Sequence, residues 1–70
     1  MSTLAERIQY AMDMRGMTQA DLARATGMHT SNIAYIVTGQ TKDPRFESVI
    51  KIAQALDVSL NYLAGIKKKK

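Results

Sequence analysis

The stretch Gln19–Val37, QADLARATGMHTSNIAYIV, decides the fold. It holds two short runs of apolar residues at helical spacing, separated by Gly27. The positions that this spacing assigns to the core are Leu22, Ala23, Ile33 and Ile36. Gly27 stands where the chain turns sharply after a helix, and such a position often requires a positive φ. The stretch therefore predicts two short helices joined by a tight turn.

The remaining residues of this stretch separate into a packing site and a polar face. Ala23 is small, which lets two steeply crossing helices approach each other closely. The positions of the second helix that are predicted to face away from the core are Thr30, Ser31, Asn32 and Tyr35. This layout is typical of a helix-turn-helix motif, whose second helix enters the major groove of DNA.

The sequence also resembles a known family. TQADLARATG (18–27) and SNIAYIVTG (31–39) resemble lambda-repressor-like helix-turn-helix domains of the Cro/CI and XRE types, close to the N-terminal domains of lambdoid phage repressors. TGQTKDPRF (38–46) looks like the loop after the recognition helix, and ALDVSLNYLAG (55–65) like the closing segment. The resemblance covers nearly all of residues 3–66.

Three further helices are predicted around the motif. Thr3 with Glu6 forms a capping box at the start of the first helix, and Thr18 caps the second. The predicted helices span about Leu4–Met14, Gln19–Thr26, Thr30–Thr38 and Glu47–Leu56, followed by a short fifth helix capped by Ser59. Strand-like alternation never extends beyond a few residues. We therefore predict an all-α fold, a compact bundle of five short helices in which helices 2 and 3 form the helix-turn-helix.

Composition excludes several classes of protein. The chain has 70 residues, no cysteine and one histidine, which excludes a disulfide framework and argues against a zinc site. No apolar run approaches the roughly 20 residues of a membrane span. We expect no membrane association and cytoplasmic residence in a bacterial host, at the nucleoid. Core filling is the expected use of Met12, Met14, Met17 and Met28.

The net charge of +4 comes from the end of the chain. Lys67–Lys70 supply four of the ten basic residues, so residues 1–66 carry six basic and six acidic side chains. Overall charge therefore gives no evidence for nucleic-acid binding. We expect residues 1–66 to form the domain and 67–70 to be a disordered lysine tail, either natural or an added tag. If it is a tag, we expect that the natural protein can continue beyond Ile66.

Base contacts are expected from the second helix of the motif. In the resembling family, exposed residues in its first turn and one turn later meet base edges. Carried over to this sequence, the resemblance implies base contacts by His29, Thr30, Ser31, Asn32 and Tyr35. Hydroxyl groups can pair with several bases, and asparagine can pair with adenine. The alternative is that they are ordinary solvated residues, because Ser, Thr and Asn are common near helix starts.

Phosphate contacts are expected at two places. The resemblance implies one at the start of helix 2, by Thr18 and Gln19, where the free N–H groups of a helix N-terminus attract anions. It implies another in the loop, by Lys42 and Arg45, with the minor groove as the alternative contact for Arg45. Asp43 departs from the more basic loops of the family and should lower the affinity.

The apolar end of the chain suggests self-association. Part of it must complete the core of so small a domain, and the rest can form a two-fold contact. The residues expected at this dimer contact are Leu60, Tyr62, Leu63 and Ile66. We expect weak or DNA-assisted dimerisation, with half-sites about 34 Å apart.

Two functions remain open at this point. The first is sequence-specific binding of double-stranded DNA by a transcriptional regulator, a phage-type repressor on a palindromic operator. The second is a protein-interaction module on the same scaffold, such as an antitoxin. We do not expect an enzyme, because the chain has no cysteine, one histidine and no glycine-rich phosphate loop. No cofactor, metal or small-molecule ligand is expected.

Overall fold

The computed structural model describes residues 3–41 and 43–64, and the regular structure in this part of the chain is entirely helical. The helices are α1 (Leu4–Arg15), α2 (Gln19–Thr26), α3 (Thr30–Val37), α4 (Phe46–Leu56) and α5 (Leu60–Ala64). The predicted all-α fold of five short helices is confirmed. The ends of α1, α3 and α4 differ by one residue from the prediction, and Thr38 is the C-cap of α3. The predicted lysine tail lies outside the described residues.

One apolar core joins all five helices. Helix α2 packs against α3 and α4, and α1 packs against α3, α4 and α5. The motif residues Leu22 and Ile33 are fully buried, as the spacing predicts. The remaining buried residues are Ile8, Ala11, Met12, Ala23, Ile36, Val37, Ile52, Ala53, Leu56 and Leu63. The motif is therefore held on the same core as the helices around it.

The methionines divide between core and surface. Met12 is buried, and Met17 and Met28 pack against the core from partly buried positions. Met14 is 71% exposed, so the prediction that it fills the core is wrong. The reason is helical geometry, because a residue two positions after Met12 lies on the opposite side of α1.

The tight turn of the motif forms at Gly27. This residue has φ +74°, in the left-handed region that favours glycine. Its N–H and that of Met28 both donate to the carbonyl oxygen of Ala23, at 2.9 and 3.1 Å. Ala23 itself is buried, consistent with a close approach between helices. The predicted sharp turn between the two helices is thus present.

Capping boxes start the first two helices. In α1 the N–H of Glu6 donates to Thr3 Oγ1, and the N–H of Thr3 donates to the Glu6 carboxylate. In α2 the N–H of Asp21 donates to Thr18 Oγ1 at 3.1 Å, and the N–H of Thr18 donates to Asp21 Oδ2 at 3.0 Å. Each box satisfies backbone groups that the helix itself leaves unpaired.

Membrane insertion has no support in the described part of the chain, where every helix is too short or too polar to cross a bilayer.

The capping box of α2 makes stability depend on pH. The pKa of Asp21 is lowered from 3.8, chiefly by the hydrogen bond from the backbone N–H of Thr18. The hydrogen bond with the Thr18 side chain and the nearby Arg24 guanidinium lower it further. A lowered pKa in the folded state stabilises the domain above the unfolded pKa, and this contribution is lost as pH falls through the folded value. Asp21→Asn should therefore lower the melting temperature by a constant amount above about pH 5.

Below pH 3.8 the difference in melting temperature between the native chain and Asp21→Asn should narrow, because the Asp21 carboxyl of the folded native chain then becomes neutral as well. Thermal unfolding followed by circular dichroism measures both curves. Asp13→Asn is the control, since this exposed carboxylate accepts only a side-chain hydrogen bond, from Gln9. A gap that stays the same at all pH values would contradict this account.

Candidate nucleic-acid interface

Helix α3 has one buried face and one polar face. Ile33, Ile36 and Val37 are buried, and they recur at the spacing of one side of a helix. The exposed residues are those predicted to meet base edges, with Tyr35 at 48% exposure: His29, Thr30, Ser31, Asn32 and Tyr35. The packing of α3 therefore leaves all five of these side chains accessible to a ligand.

The exposed residues differ in position around α3. Ser31 and Tyr35 are four residues apart and lie in line on the side opposite the buried residues. Asn32 lies toward the loop, where it lines a surface depression of about 160 Å³ together with Arg45, Ser48 and Pro44. Ser31 and Tyr35 thus form the centre of the exposed face, and Asn32 forms the edge nearest to a basic side chain.

His29 begins α3 without capping it. It is the N-cap residue, but its side chain makes no capping hydrogen bond, so the imidazole is free to contact a ligand. Among the described residues no group of three or more His, Cys, Asp or Glu side chains is placed to hold a metal ion.

The loop after α3 is tied to the end of that helix. The N–H of Thr41 donates to the carbonyl oxygen of Tyr35 at 3.1 Å, and the Thr38 hydroxyl donates to that of Ala34 at 2.7 Å. The loop ends at Arg45, which is exposed and is the N-cap of α4. These bonds fix the start of the loop relative to the exposed face of α3. Lys42, the other basic residue predicted to contact phosphate, lies outside the described residues.

The start of α2 is the other predicted phosphate site. Thr18 is exposed and Gln19 is partly buried. The N–H of Thr18 is already paired with Asp21, while its hydroxyl proton and the Gln19 amide are not committed in the capping box. Asp21 carries a negative charge here, and Arg24 forms an ion pair with it. The pair limits the repulsion that a free carboxylate would exert on a phosphate.

The C-terminal residues predicted at a dimer contact separate into three groups. Leu63 is fully buried in the domain's own core, so its assignment to a dimer contact is wrong. Leu60 packs against the core from a partly buried position, and Tyr62 is 37% exposed. Ile66 lies outside the described residues. Leu63 is buried because α5 is short and must pack against α1 and α4 to close the core.

Three features of the structure were not predicted from the sequence. Arg15 forms an ion pair with Asp57 at 3.3 Å, across 42 positions of sequence, a separation that gives no local signal. Tyr10 and Phe46 are 60% and 69% exposed, although both are large and apolar. For Tyr10 a signal existed, because it falls outside the apolar stripe of Leu4, Ile8, Ala11 and Met12, whose helical spacing predicts the buried face of α1.

Comparison with known proteins agrees with this geometry. The family model described as helix-turn-helix matches residues 8–63. The HTH-type transcriptional regulator for conjugative element SXT of Vibrio cholerae is 38% identical over 64 residues. The corresponding regulator for conjugative element pMERPH of Shewanella putrefaciens has the same identity over the same length. No solved structure matches the chain significantly.

These matches cover most of this chain but only a small part of each regulator. They include 91% of this chain but only 29% of each regulator, so the chain spans less than a third of the length of these relatives. The likeness therefore concerns one domain of those proteins. The match over residues 8–63, with the motif formed by α2 and α3, shows that this chain belongs to the helix-turn-helix family and is a lambda-repressor-like, XRE-type helix-turn-helix domain.

Proposed function

We propose that this domain binds a palindromic double-stranded DNA operator in a sequence-specific manner, as a dimer, and regulates transcription as a phage-type repressor does. The observation that carries this proposal is the exposed polar face of α3, which the buried residues on its other side hold outward. Placed in the major groove, this face presents hydroxyl, amide, imidazole and phenol groups to base edges. The role is non-enzymatic, and its place is the bacterial cytoplasm, at the nucleoid.

Phosphate contacts would set the position of α3 in the groove. Gln19 and the Thr18 hydroxyl at the start of α2 are suited to one phosphate, and Arg45 at the start of α4 is suited to another. Lys42 remains the further phosphate contact expected from the sequence. Residues 1–66 carry no net charge, so only a few phosphates are neutralised by each copy. Specificity then rests on base contacts more than on overall attraction.

Selection of bound duplexes from a random DNA pool tests the proposal directly. We expect both the full chain and residues 1–66 to recover one palindrome with half-sites about 34 Å apart, one turn of DNA. Agreement between the two proteins would exclude the lysine tail as the source of binding. Recovery of no consensus by residues 1–66 would reject the proposal and favour a protein-interaction module, such as an antitoxin.

Single substitutions on α3 test which residues read bases. We expect Ser31→Ala and Tyr35→Ala each to lower affinity for the selected duplex by about 1–3 kcal/mol and to relax the preference at the base pair contacted. Fluorescence anisotropy against the consensus and single-base variants measures both effects. Gln54→Ala, an exposed change on α4, is the control. Equal loss of affinity for every duplex would mean that Ser31 and Tyr35 contact only the backbone.

Arg45→Gln tests the proposed phosphate contact. Because a phosphate contact carries no sequence information, we expect weaker binding to all duplexes and an unchanged consensus. Log affinity decreases with log salt concentration, and the steepness of this decrease should be smaller by about 0.9 when one contact is lost. Lys51→Gln removes the same charge from an exposed position on α4 and should leave the slope near that of the native chain. Equal slopes for all three proteins would contradict the assignment of Arg45.

A further inference from the structure

An apolar groove lies on the side of the domain formed by α1 and α5. It has a volume of about 500 Å³ and is lined by Tyr10 and Met14 of α1, Tyr62 of α5 and Val58 of the preceding turn. Ala11, which is buried, also lines it. None of its lining residues belongs to α3 or to the loop that follows, so the groove is separate from the proposed DNA-binding face.

The exposed apolar surface at this groove needs an explanation. Tyr10, Met14 and Tyr62 are three of the five large hydrophobic residues that are exposed in the described part of the chain. Tyr10 and Met14 are four residues apart and therefore share one side of α1. Apolar side chains gathered in one patch mark an interaction surface more often than single exposed ones do.

Charges at the edge of the groove indicate what kind of partner fits it. Glu6 and Arg7 lie beside the two tyrosines, and Arg15, which lines the groove, forms an ion pair with Asp57. The edge thus carries two positive and two negative groups and has no net charge. Such an edge does not favour nucleic acid, which requires an excess of basic groups. It suits a two-fold contact, in which each copy offers both signs to the other.

We propose that this groove is the contact between two copies of the chain, with Tyr10 and Met14 of α1 at its centre and Tyr62 beside them. The proposal rests on the proposed function, because it names the surface through which two domains pair on a palindrome. It replaces the dimer contact that the sequence predicts at the C-terminal end. Of the four residues predicted there, Tyr62 is the one that is exposed in the described part of the chain. Helix α1, which holds none of the residues that the sequence predicts at a dimer contact, supplies most of the contact.

The size of the patch predicts the strength of pairing. Large aromatic side chains bury about 150–250 Å² each, so three partly exposed side chains provide only a few hundred Å² per copy. Stable complexes bury about 800 Å² per partner. The dimer should therefore be weak in solution and should form mainly when adjacent half-sites hold two copies together.

Sedimentation equilibrium of the full chain, from about 10 μM to 1 mM, measures this pairing without DNA. We expect a monomer–dimer equilibrium that Met14→Lys weakens at least about tenfold, because two like charges then meet across the two-fold axis. Phe46→Lys is the matched control, since Phe46 is 69% and Met14 71% exposed and Phe46 is not among the residues that line the groove. It should change the dissociation constant by less than about twofold. Equal weakening by both changes, or a native chain that stays monomeric throughout, would overturn the proposal.

A second probe covers the case in which Met14→Lys does not fold. The chain has no cysteine, so Met14→Cys and Phe46→Cys each carry one thiol. Near a two-fold axis a residue lies close to its own copy, and we expect oxidation to link Met14→Cys into dimers much faster than Phe46→Cys. Similar rates for the two variants would count against the groove.

Binding to DNA separates this inference from the proposed function. Met14→Lys should bind a duplex with a single half-site as well as Phe46→Lys does, but should lose affinity for the complete palindrome. Failure of every protein to bind a selected duplex would reject the operator proposal, while the sedimentation and oxidation results would still decide the contact between copies. Equal affinity of both variants for the complete palindrome would overturn the role of the groove on DNA.

Discussion

The burial of one side of α3 is the interaction on which the rest of the structure depends. This helix has eight residues, too few for an isolated helix to be stable in water. It also begins without a side-chain cap. Its stability must therefore come from packing Ile33, Ile36 and Val37 into the core, chiefly against α2 and α1. The same packing fixes which side chains face outward, so fold and proposed function follow from one contact.

The parts around α3 act as its support. Helix α2 is held at its start by the capping box of Thr18 and Asp21, and it ends at Gly27 in the left-handed conformation that lets the chain reverse. After α3, the bond from Thr41 to Tyr35 holds the loop that leads to Arg45. The two proposed phosphate sites, at Gln19 and Arg45, thus lie at the starts of α2 and α4, the helices directly before and after α3 in the chain. Such positioning matters because a neutral domain has little general attraction for DNA.

The sequence predicted the motif well because its signals are local. The spacing of Leu22, Ile33 and Ile36 follows helical geometry, and capping and turn residues act on their immediate neighbours. Features that depend on distant packing were not predictable. The sequence is compatible with Leu63 either in the core or at a dimer contact. The packing of α5 against α1 places it in the core. The Arg15–Asp57 pair and the groove between α1 and α5 likewise arise from tertiary structure.

The central claim, that the exposed face of α3 binds DNA while the α1–α5 groove pairs copies, is best tested by a residue-resolved titration. Amide chemical shifts of the ¹⁵N-labelled chain, recorded as a selected single half-site duplex is added, report where DNA binds. The account predicts the largest changes at Ser31, Tyr35 and Gln19, with the amides of Tyr10 and Met14 unchanged. Changes concentrated at Tyr10 and Met14, with α3 unaffected, would contradict it.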